Sequence, residues 1–430
     1  MTRVDELMVY RRFENAKIFE DMIWILDHYQ DKNQDKSAIS RRYYDVINGL
    51  LEMAGKYGFE GNLWHNYLTY LLVNHENVFS TACEIVGEID GSINLLAKHD
   101  FRIFKELYGF DFSVLDEFLG TCDTEIIRNY HRSTGTGKLF NQRIRDRITH
   151  LTIQLEQSVD DEAFMEAMVE FYREFGVGKL GLHKAFRVKR ENDQIQIVPV
   201  TNIAHVHLDD LVGYEIAKKK LIDNTEAFIS GKRANNCLLF GDAGTGKSSS
   251  IKGILNQYYD RGLRIIEIYK HQFQDLNDVI AQVKNRNYKF IIYMDDLSFE
   301  DFEIEYKYLK AVIEGGLEKK PDNILIYATS NRRHLVREKF SDKEDRRDDL
   351  HSSDTVQEKL SLVHRFGVQI FFCAPDKKEF QNIVKVLADK HGVHMPEEEL
   401  LLEANKWELS HGGLSGRTAQ QFIDYLLGQM

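Results

Sequence analysis

Hydrophobic positions in the first 175 residues recur every three or four residues, the spacing of amphipathic helices. One group comprises Tyr43, Val46, Ile47, Leu50 and Leu51, and a second comprises Leu63, Tyr67, Leu68, Leu71 and Leu72. The first proline of the chain is Pro199, so no proline interrupts this region. A β-like stretch, QIQIVPV, follows and ends in a predicted linker. We therefore predict a mainly α-helical N-terminal domain with its linker over 1–205.

From about residue 206 the pattern changes to short apolar runs separated by amphipathic stretches. The runs are CLLF (237–240), LRIIEIY (263–269), KFIIYM (289–294), NILIYAT (323–329) and VQIFFCA (368–374). Continuous apolar strands that alternate with helices are typical of a parallel sheet covered on both faces. This predicts an α/β domain over 206–375 with a five-stranded parallel sheet. Three helical stretches then predict a small helical subdomain over 376–430.

Composition narrows the class of protein. The 430 residues carry a net charge of −12, which argues against a surface wholly devoted to nucleic acid. The four cysteines lack metal-ligand spacing to another Cys or His. No apolar run has the length of a membrane span, and the charged N-terminal sequence does not resemble a signal peptide. We expect a cytoplasmic protein without a membrane partner.

The first apolar run leads directly into G-x-x-x-x-G-K-S, the pattern of a phosphate-binding P-loop between a strand and a helix. Glycines let the backbone curl, so that successive N–H groups point at phosphate oxygens. Lys247 adds a positive charge near the β and γ phosphates, and the Ser248 hydroxyl suits Mg²⁺. The predicted cofactors are therefore ATP and Mg²⁺. The predicted phosphate-binding residues are Gly241, Asp242, Ala243, Gly244, Thr245, Gly246, Lys247, Ser248 and Ser249.

Polar side chains also follow the third and fourth runs. Asp295 and Asp296 end the third run, at the sheet edge where ligands of open α/β folds bind. This is a Walker B pattern, in which Asp295 would hold Mg²⁺ and Asp296 would orient the attacking water. Asn331 ends the fourth run and is a candidate to hold that water or the γ phosphate. Helix capping by the aspartates and a simple turn at Asn331 are the competing interpretations.

Two arginines lie at helix ends in the C-terminal part. Arg365 precedes Gly367 and the fifth run, where it suits insertion into a neighbouring subunit's γ-phosphate site. Arg332 and Arg333 compete for that role, and a helix-end arginine also complements the helix dipole. Arg417 opens the last helix, and the glycines before it favour a role in which it reaches back to the phosphates. A solvent-facing arginine in a first turn is the competing interpretation.

The order of P-loop, aspartate pair, strand-end Asn331, helix-end Arg365 and final Arg417 resembles the AAA+ ATPases over about 206–430. The segments ANNCLLFGDAGTGKSSSIK, MDDLSFE, LIYATSNRRHL, EKLSLVHRFG and SGRTAQQF resemble a bacterial AAA+ family known as domain of unknown function 815. The resemblance implies a P-loop AAA+ core with a C-terminal helical lid and Mg-dependent ATP hydrolysis by a ring homo-oligomer, with a hexamer expected. It also makes Val212 and Gly213 candidates for adenine contact. His364 departs from the aspartate expected before Arg365.

The sequence does not identify the client, the molecule on which such an ATPase would act. The first hypothesis is a motor that remodels an unknown protein or nucleic-acid client. The alternative is an ATP-switched loader or binding protein for nucleic-acid machinery, supported by a basic cluster. A solvated helix face is the competing interpretation of that cluster. Its members are Arg128, Arg132, Lys138, Arg143, Arg145 and Arg147.

Overall fold

A computed structural model describes most of the chain and divides it into two compact units. The described residues are 2–14, 16–31, 34–87, 89–132, 140–192, 194–299, 305–314, 321–331, 335 and 362–429. The units are Met1–His183 and Lys184–Met430. The expected linker end at residue 205 thus lies inside the second unit.

The first unit is helical, as the periodicity predicts. Its helices are α1 (Lys17–His28), α2 (Lys36–Tyr57), α3 (Leu63–Asn74), α4 (Val78–Val86), α5 (Ser92–Tyr108), α6 (Ser113–Leu119), α7 (Asp123–Arg128), α8 (Gln142–Gln157), α9 (Asp161–Phe175) and α10 (Gly178–Leu182). Side chains of Asp35, Asn62 and Asn77 accept first-turn N–H groups and so define where α2, α3 and α4 begin. Large aromatic residues, including Trp64, fill its core.

The second unit contains a mostly parallel sheet. Its strands are β1 (Ala185–Glu191), β2 (Gln194–Pro199), β3 (Cys237–Gly241), β4 (Leu263–Glu267), β5 (Lys289–Met294), β6 (Ile324–Ser330) and β7 (Val368–Phe372). Their spatial order is β2-β1-β4-β5-β6-β3-β7, and the pair β1–β2 is antiparallel. The successive residues Ile265 and Ile266 are both buried, as expected for a strand covered on both faces.

The predicted count of five strands is wrong, because the described part of the sheet has seven. Strands β3 to β7 correspond to the five apolar runs, while β1 and β2 form an added hairpin. Strand β1 pairs in parallel with β4, with Ala185 opposite Ile265. Sequence reasoning missed β1 because AFRVKRE is rich in charge. Phe186 and Val188 are buried, while the residues between and after them face solvent.

The described residues of the second unit also form helices. They are α11 (Glu215–Ile229), α12 (Lys247–Tyr258), α13 (Leu276–Val283), α14 (Glu305–Glu314), α15 (Lys377–His391), α16 (Glu397–Ser410) and α17 (Gly416–Leu427). Helices α11 and α12 pack on one face of the sheet in a shared core. Helices α15 to α17 enclose a separate small core that includes Phe380 and Phe422, and we call them the lid. No helix among the described residues is long and apolar enough to cross a membrane.

Candidate nucleotide site

The predicted P-loop joins β3 to α12, and its glycines have backbone conformations that other residues rarely adopt. Gly241 has φ of 136°, and a Cβ there would lie 2.0 Å from the Phe372 carbonyl oxygen. Gly246 is the N-cap of α12 with φ of 90°. The loop can therefore run against β7 and turn sharply into the helix, which directs the N-terminal N–H groups of α12 into the bend.

Lys247 is the first residue of α12 and only 6% exposed. Its ammonium group donates to the carbonyl oxygens of Gly241 over 2.9 Å and Asp242 over 2.6 Å. Burial lowers the pKa of Lys247, while the carboxylates of Asp242, Asp296 and Asp295 act in the opposite direction. The loop thus holds a cation inside its curve, where phosphate oxygens can reach it.

Asp295 lies beyond the end of β5, and three hydroxyl groups donate to its Oδ1. The donors are Thr329 at 2.5 Å, Tyr293 at 2.6 Å and Ser248 at 2.7 Å. Partial burial raises the pKa of Asp295, but these hydrogen bonds lower it further than burial raises it. The carboxylate is therefore held ionised, beside the serine with which it was predicted to share Mg²⁺.

Asp296 has a left-handed backbone with φ of 49°, a conformation that aspartate tolerates better than most residues. Its N–H donates to Thr329 Oγ1 over 2.9 Å, so the turn is tied to the neighbouring strand β6. The Asn331 amide donates to Asp296 Oδ1 over 2.7 Å. The two predicted water-orienting groups are thus in direct contact.

The lid contributes to the same site. The backbone N–H of Arg417 donates to the carbonyl oxygen of Gly244 over 3.1 Å. A Cβ on Gly244 would lie 2.9 Å from Ser415 Oγ. Ser415 caps α17, so the first turn of the last helix lies directly on the P-loop.

A cavity of about 610 Å³ connects these groups. Twelve of the predicted residues line it: Val212, Ala243, Gly244, Thr245, Gly246, Lys247, Ser248, Ser249, Asp295, Asp296, Asn331 and Arg417. Gly241 and Asp242 lie outside the lining and support the loop from the β7 side. Gly213 also lies outside it. The cavity instead contacts its two neighbours, Val212 and Tyr214, and Tyr214 is the N-cap of α11.

Several lining residues escaped sequence reasoning. Leu211, Tyr214, Ile383 and Leu387 supply apolar surface from the segment before α11 and from lid helix α15. Thr329 lines the cavity as well, and Tyr293 supports it through Asp295. A signal for these two hydroxyls did exist. Each lies two residues before a predicted polar residue that directly follows its strand, and side chains two apart in extended chain share a face.

Arg365 does not line the cavity of its own chain. It forms an ion pair with Glu314, the last residue of α14. Its competitors Arg332 and Arg333 lie outside the described residues. The single chain thus separates Arg365 from the groups around the P-loop and brings Arg417 among them.

The basic cluster of the first unit interacts with rings and carboxylates of its own unit. Arg132 pairs with Glu60 and lies over the Phe140 ring, which Arg145 also contacts. Arg147 lies over the ring of Phe175. Lys138 falls outside the described residues. Three of the predicted phosphate-contacting arginines are thus engaged with aromatic side chains.

Comparison with known families assigns the chain to one of them. The family described as protein of unknown function (DUF815) matches residues 181–430, more than half of the chain. The chain belongs to this family. The matched range begins just before β1, so it includes the hairpin as well as the P-loop and the lid. The predicted α/β class, with a P-loop after β3 and a helical subdomain after β7, is confirmed.

Solved structures are similar to this DUF815 member over about half of its length. A mutant of Thermotoga maritima RuvB is 17% identical with a TM-score of 0.36, covering 51% of this chain and 64% of that one. The chain therefore spans less than two thirds of that structure.

Two further structures are similar to a comparable extent. The Thermotoga maritima RuvB Holliday junction branch migration motor is 15% identical with a TM-score of 0.33, covering 51% of this chain and 71% of that one. The FIGL-1 AAA domain in complex with ADP is 16% identical with a TM-score of 0.36, covering 53% of this chain and 74% of that one. No curated protein matches the sequence.

Proposed function

We propose that the protein is an ATPase that binds ATP with Mg²⁺ in the P-loop cavity and hydrolyses it. One observation carries the proposal. Lys247, Asp295, Asp296, Asn331 and Arg417 come from four separate stretches of the chain and all line one cavity. A chance glycine-rich turn would not gather a cation, a carboxylate pair and an amide around the same space. The cavity volume lies within the range of about 300–1,000 Å³ usual for small-molecule sites.

The phosphate chain is assigned to the P-loop. Backbone N–H groups at the start of α12 and the Lys247 ammonium group attract phosphate oxygens. The apolar side chains of Leu211, Val212 and Leu387 offer the surface that an adenine ring requires. ATP thus fits the residues present, with its charged and apolar parts each matched by side chains of that character.

Ser248 and Asp295 are the candidate Mg²⁺ ligands, because the 2.7 Å hydrogen bond between them places their oxygens close enough to contact one ion. Magnesium is usually held by one or two protein oxygens together with phosphate and water. Among the described residues, no group of three or more His, Cys, Asp or Glu side chains could hold a metal ion. The proposed Mg²⁺ site therefore needs phosphate and water oxygens as further ligands. When bound, Mg²⁺ would neutralise negative charge on the phosphate oxygens.

Hydrolysis needs a water molecule aligned with the γ phosphate. We assign its orientation to the Asp296 carboxylate, which would accept a proton, and to the Asn331 amide that holds this carboxylate. Arg417 is assigned to the phosphates from the lid side. Positioning and charge stabilisation supply most of the catalysis in phosphoryl transfer. Asp296 and Asn331 would supply the positioning, and Arg417 would supply the charge stabilisation.

We further propose that the protein works as a ring homo-oligomer, with a hexamer expected, and converts nucleotide state into remodelling of a client. Arg365 would complete the site of the neighbouring subunit. Since Arg365 contacts Glu314 rather than the cavity of its own chain, a role toward another subunit agrees with its position. The nucleic-acid loader is not favoured, because Arg132, Arg145 and Arg147 contact aromatic rings.

Phosphate release at steady state tests the proposal. Purified full-length protein with Mg²⁺ should hydrolyse ATP, and Lys247→Ala should abolish the activity. Absence of turnover above this control, at concentrations where the protein oligomerises, would contradict the ATPase assignment. Affinity capture with Asp296→Asn, which should retain ATP, then identifies the bound client.

A further inference from the structure

Asp242, the second residue of the P-loop motif, forms hydrogen bonds through its N–H, its carbonyl oxygen and its carboxylate. Its N–H donates to the Phe372 carbonyl oxygen over 3.1 Å, and its carboxylate accepts the Ala374 N–H over 2.8 Å. Its own carbonyl oxygen accepts the Lys247 ammonium at 2.6 Å and the Thr245 hydroxyl at 2.8 Å. One residue thus bonds both the phosphate-binding lysine and the chain that leaves β7.

That departing chain is the whole connection between the sheet and the lid. Strand β7 ends at Phe372, and α15 begins at Lys377 after its N-cap Asp376. Ala374 lies in the middle of this connection, which we call the hinge (residues 373–376). At the start of the last lid helix, α17, Arg417 donates its N–H to the carbonyl oxygen of Gly244. The P-loop therefore contacts the lid where the lid begins and again where its last helix begins.

We propose that Asp242 is a positioning residue that couples the phosphate loop to the hinge of the lid. This rests on the proposed function, because it assigns a regulatory link to the same nucleotide site. A phosphate bound in the loop competes with the Asp242 carbonyl for the Lys247 ammonium group. Loss of this charge-assisted bond frees the peptide to turn. The Asp242 carboxylate then transmits the change to the Ala374 N–H, because this carboxylate and the carbonyl that releases Lys247 belong to the same residue.

An aspartate suits this link better than an apolar residue. An ionised carboxylate accepts a stronger hydrogen bond from a backbone N–H than a neutral group does. The asparagine side chain retains an acceptor oxygen at the same place, whereas alanine retains none. Asp242→Asn should therefore preserve the link and Asp242→Ala should break it.

Hydrogen–deuterium exchange of the full-length protein tests the coupling. Peptides covering 373–380 and 411–420 are followed with and without ADP, at concentrations that saturate each variant as determined by direct titration. Wild type should change its exchange in both peptides when ADP binds. In Asp242→Ala, the Ala374 amide should exchange about tenfold faster, as expected for one lost hydrogen bond, and the ADP response of both peptides should disappear. Asp242→Asn should respond as wild type does.

The control variant is Asp376→Ala, which removes a neighbouring carboxylate that caps α15 through the Glu379 N–H at 2.8 Å. It weakens the lid helix without altering the P-loop, so its ADP response should remain. A wild-type response in Asp242→Ala, or an equal loss in Asp376→Ala, would overturn the coupling. Failure of wild type to bind ADP would instead contradict the proposed function. The two ideas therefore fail in different measurements.

Discussion

Asn331 donates its side-chain amide to Asp296 Oδ1 over 2.7 Å, so the group that follows β6 orients the second carboxylate that follows β5. If this pair aligns the attacking water, Asn331→Ala should lower kcat by about 10²-fold, the usual effect of losing one preorganised donor. ADP affinity should change much less. Phosphate release and ADP titration measure the two quantities.

A suitable control for that experiment is Asn48→Ala, which removes an exposed amide bonded to Glu52 in α2. It should leave both kcat and affinity unchanged. A fall in affinity as large as the fall in kcat would show that Asn331 serves binding instead of the chemical step.

Tyr293→Phe should weaken the Mg²⁺ dependence of nucleotide binding. The substitution keeps the buried ring and removes one of the three hydroxyls that donate to Asp295 Oδ1. Because a hydrogen bond to a charged group contributes about 1.5–3 kcal/mol, the Mg²⁺ concentration for half-maximal ATP binding should rise about tenfold. Titration of Mg²⁺ against ATP binding checks this without relying on turnover.

Tyr327→Phe is the matched control, since Tyr327 lies opposite Tyr293 in the β5–β6 register. Its hydroxyl contacts Asn224 and Thr225, away from Asp295. An equal shift in both variants would mean that loss of a buried hydroxyl, rather than the hold on Asp295, is responsible.

Gly244→Ala should destabilise the second unit and disturb its lid. Residue 244 has φ of 75°, and the added Cβ would lie 2.9 Å from Ser415 Oγ and 3.0 Å from Arg417 Cβ. The left-handed backbone alone costs about 1–2 kcal/mol for a residue with a side chain. Gly262→Ala provides a comparison, because its φ is 90° but its Cβ would meet open space.

Thermal unfolding of both glycine variants therefore separates the cost of the left-handed backbone from the cost of the contact with the lid. The larger loss of stability in Gly244→Ala measures the contact with the lid. Equal losses would indicate that the lid simply moves aside.

Arg365 should act on the site of a neighbouring subunit. Arg365→Ala is expected to lower kcat by about 10³-fold, within the range reported for arginine fingers. Mixed with Lys247→Ala, it should form oligomers in which some sites combine an intact P-loop with an intact arginine. Recovery of phosphate release on mixing two inactive variants is the measurement.

Glu314→Gln removes the in-chain ion-pair partner of Arg365 and should retain activity. Mixed oligomers, verified by differently tagged subunits, that stay inactive would exclude the proposed role in trans.

The P-loop domain should require the hairpin that precedes it. A fragment of residues 184–430 keeps β1 paired with β4 and the 2.7 Å bond from Arg187 to Glu267. A fragment of residues 206–430 lacks β1 and leaves the unpaired edge of β4 open to other chains. We expect the longer fragment to be monodisperse by size-exclusion chromatography and the shorter one to aggregate. Equal behaviour and equal unfolding temperatures would contradict this.

Much of this architecture could be predicted from local patterns. The helices of the first unit and strands β3 to β7 follow from period and apolar runs, because each signal lies within one stretch of chain. Strand β1 could not be found in that way, since its outward residues Arg187 and Lys189 resemble those of a charged linker. Its partner β4 begins more than 70 residues later in the chain.

The sequence by itself determined the P-loop and the identity of the polar residues at the strand ends, because the chemistry of those groups depends on residue type and short spacing. Only the tertiary structure decided which of them meet. The strand order places β3 between β6 and β7, and this brings Asp242 to Ala374 and Lys247 to the edge that carries Asp295. Such contacts depend on which strands pair across the sheet, and no local pattern encodes that choice.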